Sequence, residues 1–152
     1  MIQRIQSIWF FLAAISLLLL IIIPVVSKAY STTQVSLLVT GIYEIADGKS
    51  IKTQDFMGLF IGTVATALVA LINIFTFKNR TLQKRIATVN ILLIVGLCFW
   101  IFQSAQLLEG ALEGARVEIG VALPALAIIF LALGIRGINK DEQLIRSADR
   151  LR

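Results

Sequence analysis

The stretch QVSLLVTGIYEIADGKSIKT, Gln34 to Thr53, decides how this chain is read. Its β-branched residues and Tyr43 favour extended backbone. Between its two halves lies the pair Asp47–Gly48. A type I′ turn needs positive φ, which Asp-Gly supplies at low cost. The stretch therefore predicts a small β-hairpin; a disordered loop is the alternative. It falls in a polar connection, residues 28–55, between two long apolar segments, and those segments set what the hairpin is attached to.

Four apolar segments stand out: about Ile5 to Val26, Phe56 to Phe77, Ile86 to Leu107 and Ile119 to Ile135. Each is close to the ~20 residues that cross ~30 Å of hydrocarbon. None contains Lys, Arg, Asp or Glu. The whole chain is 58% apolar and 15% charged, with a mean hydropathy of +0.89. Soluble domains hold ~45–50% apolar and ~25% charged residues. A water-soluble core could not hide so much hydrocarbon, so the solvent implied is a bilayer. The first segment has a rival reading as a signal peptide, with Arg4 as its basic start and Ser27 to Ala29 as its cleavage site. Signal-peptide cores run ~7–15 residues, and this one is longer, which favours a retained span.

The connectors orient the chain. Ten basic residues fall on one side: Arg4, Lys78 to Arg85, and Arg136 onward. Four fall on the other: Lys28, Lys49, Lys52 and Arg116. Basic loops translocate poorly, so both termini are expected in the cytoplasm and residues 28–55 outside. Four spans return the chain to its starting side, in agreement.

Gly58, Gly62, Thr66 and Ala70 recur every four residues on the second segment, on one helix face. Small residues let helix backbones approach closely in lipid. The simpler use is packing within the chain's own bundle; a subunit interface is the alternative. Asn73 and Asn90 each lie about one turn from the basic link 78–85. In an antiparallel helix pair they reach similar depth, where a hydrogen bond between them would contribute ~1 kcal/mol or less. Pro124 should kink the fourth segment, as plain shape or as the break that lines a transporter site. LEGALEGA, Leu108 to Ala115, stacks Glu109 over Glu113 and reads as a solvated helical extension of the third span.

Absences narrow the function. There is no histidine, the commonest general base and metal ligand, and the one cysteine, Cys98, lies in an apolar run. No intramembrane ionisable residue marks an ion path, and no phosphate loop or zinc spacing is present. No catalytic, cofactor-binding or metal-binding residue is expected. Glu109, Glu113 and Glu118 with Arg116 are the sole foothold for an enzyme.

The tail differs from everything before it. Asn139 with Glu142 matches a capping box, so a short cytoplasmic amphipathic helix is expected over residues 139–152. Leu144, Ile145, Ala148 and Leu151 make one apolar stripe, with Arg146, Arg150 and Arg152 along its rim. The stripe would lie on headgroups, cap the bundle, or dock on a protein.

MIQRIQSIWFFLAAI at the start, FKNRTLQKR in the link and KDEQLIRSADRLR at the end resemble an uncharacterised family of four-helix inner-membrane proteins of Bacteroidota. The resemblance covers essentially the whole chain. It implies a bacterial inner membrane and an uncleaved first span, and it implies no activity, substrate or cofactor.

The expectation is thus an all-α membrane protein: an up-down bundle of four transmembrane helices over residues 1–138, an outer hairpin, and a cytoplasmic tail helix. Its role would be non-catalytic, as an accessory or scaffold subunit. The partners are the lipid bilayer and a membrane or cytoplasmic protein; no nucleic acid is expected. A small facilitator or lipid-handling oligomer is the alternative, with Pro124 and Asn73 or Asn90 lining a cavity.

Overall fold

A computed structural model of the chain describes residues 3–30, 33–46, 49–108 and 114–149. Four helices appear: α1 (Gln3–Leu19), α2 (Met57–Phe75), α3 (Arg80–Ala105) and α4 (Ala122–Asp149). Five strands accompany them: β1 (Val26–Ala29), β2 (Gln34–Leu38), β3 (Gly41–Ala46), β4 (Lys49–Asp55) and β5 (Arg116–Val117). The strands form one antiparallel sheet in the order β4-β3-β2-β1-β5. The fold is therefore mixed α/β, and the expected all-α bundle of four transmembrane helices is overturned.

Two local causes explain the difference. The first apolar segment does not stay helical to Val26. Its helix has 17 residues and stops at Leu19, and the chain turns through Ile21 to Ile23. Pro24 has no N–H and pushes the residue before it towards extended backbone. The β-branched Val25 and Val26 then enter the sheet, where Val25 N–H donates to Leu37 O at 2.8 Å. By length and composition, three helical stretches can cross a membrane: Met57–Lys78, Arg80–Ala105 and Ile119–Ile145. α1 is apolar but shorter.

The second cause lies in the opening stretch, which holds three strands. Gln34 to Ile45 is not one extended run. It folds back at Val39–Thr40, pairing Leu38 with Gly41. Gly41 has φ +151°, and a Cβ there would strike the Gln54 carbonyl oxygen across the bulge between Ile42 and Tyr43. Only glycine fits that close approach. The hairpin expected around Asp47–Gly48 is the β3–β4 pair, with Ala46 opposite Lys49; the two turn residues themselves lie outside the described residues. β4 is an edge strand exposed along its whole length. Lys49 and Lys52 on it discourage edge-to-edge pairing.

The helices pack in a ring, α1 against α2 and α4, and α3 against α2 and α4. α1 buries Phe10, Ala13, Ala14 and Leu17 completely, the i, i+3, i+4, i+7 face of a helix. α4 answers with Ala127, Leu131, Gly134 and Ile138. A second core joins the sheet to the helix ends, with Val26, Leu37 and Ile42 packed among Leu20, Leu59 and Ile101. The sheet thus caps one end of the helices. Gln6, the link from Thr76 to Arg80 and Asp141 gather at the other.

α4 is a single helix of 28 residues. The separate tail helix is corrected with it: Asn139 and Glu142 sit inside α4 and begin nothing. No Gly or Pro separates Ile138 from Asp149, so nothing stops α4 from continuing.

Candidate functional site

The α2–α3 seam is built from the residues singled out for packing. A Cβ on Gly58 would lie 2.9 Å from Trp100 Cη2, and one on Gly62 would lie 3.0 Å from Leu97 Cδ2. Thr66 and Ala70 continue the same face and are buried. The stripe therefore serves a contact inside this chain. Asn73 and Asn90 are both fully buried, but they do not meet. Antiparallel packing sets Asn73 beside Gln83 and Asn90 beside Thr66, about two turns apart. Asn73 Nδ2 donates to Gln83 O at 3.2 Å, and Gln83 Nε2 donates back to Asn73 O at 3.1 Å. Thr76 Oγ1 adds a bond to Asn73 Oδ1 at 3.1 Å. Asn90 Nδ2 donates to Thr66 O at 3.2 Å, while its Oδ1 has no partner. These amides hold α2 to α3.

A second polar cluster closes the opposite end from the sheet. Gln6 Nε2 on α1 donates to Asp141 Oδ2 on α4 at 2.6 Å, and both residues are buried. Asp141 Oδ1 has no hydrogen-bond partner. Beside it, Lys84 on α3 pairs with Glu142 on α4 at 2.8 Å, with both side chains about three-quarters buried. Gly137 makes room for this junction, since a Cβ there would lie 3.1 Å from Gln6 Cγ. Sequence reading missed Gln6, Gln83, Asp141 and the Lys84–Glu142 pair. Gln6 and Asp141 stand 135 positions apart, and no local pattern joins them.

The junction has an asymmetry that can be measured. Gln6→Leu strips Asp141 of its only bond among the described residues and leaves a buried carboxylate unpaired. The expected loss is about 2 kcal/mol in detergent unfolding. Adding Asp141→Leu should restore most of it, because removing both partners leaves nothing unsatisfied. Equal losses in the single and double variants would refute this account of the junction.

Beyond Asp141, α4 buries no further described residue. Gln143, Leu144, Ile145 and Ser147 are all exposed. Leu144 is 50% and Ile145 48% exposed. The rest of the tail stripe is placed less fully: Arg150, Leu151 and Arg152, and the side chains of Arg146 and Ala148, lie outside the described residues. At ~1.5 Å per residue the segment from Glu142 to Asp149 extends α4 by about 12 Å.

Pro124 faces an apolar groove of ≈ 330 Å³ between α3 and α4, lined also by Cys98, Ile101, Phe102 and Val121. On the sheet, Glu118 accepts from Ser27 Oγ at 2.5 Å and its N–H donates to Val25 O at 3.0 Å; Glu109 and Glu113 lie outside the described residues. Glu118 thus pins β1 to the turn before α4. Lys52 pairs with Asp55, whose carboxylate raises the lysine above its usual pKa. Among the described residues, no group of three or more His, Cys, Asp or Glu is placed to hold a metal ion.

A family model described as a domain of unknown function (DUF4293) matches residues 2–151. No curated protein and no solved structure matches the chain.

Proposed function

The chain belongs to the DUF4293 family of unknown-function domains, and from that premise we propose a non-catalytic accessory or scaffold subunit of the bacterial inner membrane, docked through the end of α4. The observation that carries this reading is the unbroken run of α4 past its last buried residue, Asp141. A tail that lay flat on headgroups would need a break where the helix leaves the bundle, and α4 has none there. Instead the helix presents Leu144 and Ile145, both exposed, on a continuous helix. Helix-in-groove recognition uses apolar anchors of this kind.

The orientation follows from charge. The end that holds Gln6 and Asp141 also holds the link Lys78 to Arg85, and the sheet lies at the opposite end. The positive-inside rule puts that link, and with it both chain ends and the projecting helix, in the cytoplasm. The seam amides are engaged in holding helices, and Asp141, the one buried carboxylate among the described residues, bonds a glutamine. This placement supports a structural role over a catalytic one.

The test is capture of a partner. Tagged protein crosslinked in native membranes and purified in mild detergent should bring down a defined protein. The variant Leu144→Asp/Ile145→Asp should lose that protein by tenfold or more, with its own melting temperature unchanged because both side chains are exposed. Bare protein in both purifications, or equal recovery with the variant, would overturn docking through α4. A small facilitator or lipid-handling oligomer is the second reading, favoured by the apolar groove at Pro124. Asn73 and Asn90, bonded between α2 and α3, are not among the residues that line this groove.

A further inference from the structure

A groove of ≈ 390 Å³ runs between α2 and α3 on the side away from α1 and α4, lined by Val69, Ile72, Arg85, Ile86, Val89 and Leu93. Arg85, Val89 and Leu93 are spaced i, i+4, i+8, so they form one ridge about 12 Å long. Every lining residue is hydrocarbon except Arg85, which sits at the end nearest the basic link. Ile72 is 61% and Val89 54% exposed, so the groove opens sideways into whatever solvates the helices. We propose that it holds one anionic glycerophospholipid, with an acyl chain along the groove and the phosphate on Arg85.

Charge selects this occupant over a neutral lipid. From Phe56 to Leu108 the chain contains no Asp or Glu, yet Lys78, Arg80, Lys84 and Arg85 cluster at one end of the two helices. Lys84 is neutralised by Glu142 from α4. Arg85 forms no salt bridge with any described residue. A shallow, mostly apolar depression beside it, lined also by Thr81, Lys84 and Thr88, shares Arg85 and Val89 with the groove. Arg85 thus sets one cation at the end of a hydrocarbon channel. A phosphodiester esterified to a diacylglycerol complements that arrangement. Arginine's planar fork suits phosphate better than a lysine would, and basic pockets between transmembrane helices recognise anionic headgroups. The site depends on α2 and α3 crossing the bilayer, and is independent of docking through α4.

Native mass spectrometry of the full chain in mild detergent tests it. Phosphatidylglycerol and phosphatidylcholine with identical acyl chains are offered at equal concentration. Wild type should retain one phosphatidylglycerol in clear preference. Arg85→Gln should cut that preference about fivefold, whereas Arg136→Gln, an exposed cation on α4 outside the groove, should leave it unchanged. Val89→Trp fills the channel and should reduce retention with Arg85 still present. Glycerol 3-phosphate in excess should not compete, which separates a lipid from a free phosphate. Equal retention of the two lipids by wild type would overturn the proposal. So would an unchanged preference in Arg85→Gln, or an equal loss in Arg136→Gln.

Discussion

Gly120→Val should unfold far below wild type in mild detergent, with a loss of about 3 kcal/mol or more. A Cβ at this position would meet the Pro24 carbonyl oxygen, with Pro24 C at 2.8 Å and Val25 Cα at 3.0 Å. All three are backbone atoms, so no rotamer change relieves the contact. Neither partner can retreat. Val25 is bonded to Leu37 on one side and accepts from Glu118 N–H at 3.0 Å on the other. Ser27 holds Glu118 again through its side chain. Gly120 has no unusual φ, so the demand is for space, and alanine should already be costly. Gly96 supplies the control: nothing lies within 4 Å of a Cβ there. Gly96→Ala should leave the midpoint unchanged or raise it by about 1 kcal/mol. Trp9 and Trp100 fluorescence follows both transitions. Similar midpoints for Gly120→Val and wild type would mean that the turn before α4 does not rest on the start of β1.

The three helices long and apolar enough to cross a membrane were legible because hydropathy is additive and local. Nineteen mostly apolar residues without a charge announce themselves, as Met57 to Phe75 do. The β3–β4 hairpin was legible for a similar reason, since an Asp-Gly pair between extended runs is a local signal in the sequence, and Ala46 does pair with Lys49. The rest of the sheet was hidden. Val25 and Val26 are as apolar as the helix before them, so they were read as membrane span when their partner is Leu37. The fold-back at Val39–Thr40 carries only a Thr-Gly pair, a weaker signal than Asp-Gly. β5 has two residues and exists because β1 is beside it. The tail failed differently: Asn139 and Glu142 match a helix start, yet a capping box has meaning only where the chain before it is not already helical. Of the packing residues, Gly58, Gly62, Thr66 and Ala70 were found by spacing, because helix faces repeat. The partners of Asn73 and Asn90 were not, because depth in a helix pair depends on the link geometry from Thr76 to Asn79. Gln6 and Asp141 became visible only once α1 and α4 lay side by side.

Gly134→Leu and Phe10→Ala should each destabilise the protein by about 3 kcal/mol, and together by much less than their sum. A Cβ on Gly134 would sit 2.8 Å from Phe10 Cε1 and 2.9 Å from Cζ. Phe10 is completely buried, so its ring has nowhere to turn, and a leucine must push α1 away from α4. Removing the ring alone leaves a void. Water does not drive helices together in lipid, and close packing does most of that work, so the void costs lost contacts more than lost burial. Combined, the new leucine occupies the space the ring vacated. The double variant should recover about 2 kcal/mol relative to additivity, a coupling of the size expected for residues in contact. Additive losses would show that the two side chains do not compete for one space. The same variants bear on function, because Gly134 lies two turns before Asp141 on the helix that carries Leu144 and Ile145. Tilting α4 at Gly134 pulls Asp141 from Gln6 and moves the projecting end. A partner read through Leu144 and Ile145 should therefore be lost in Gly134→Leu and return in the double variant, with the tail sequence unchanged throughout.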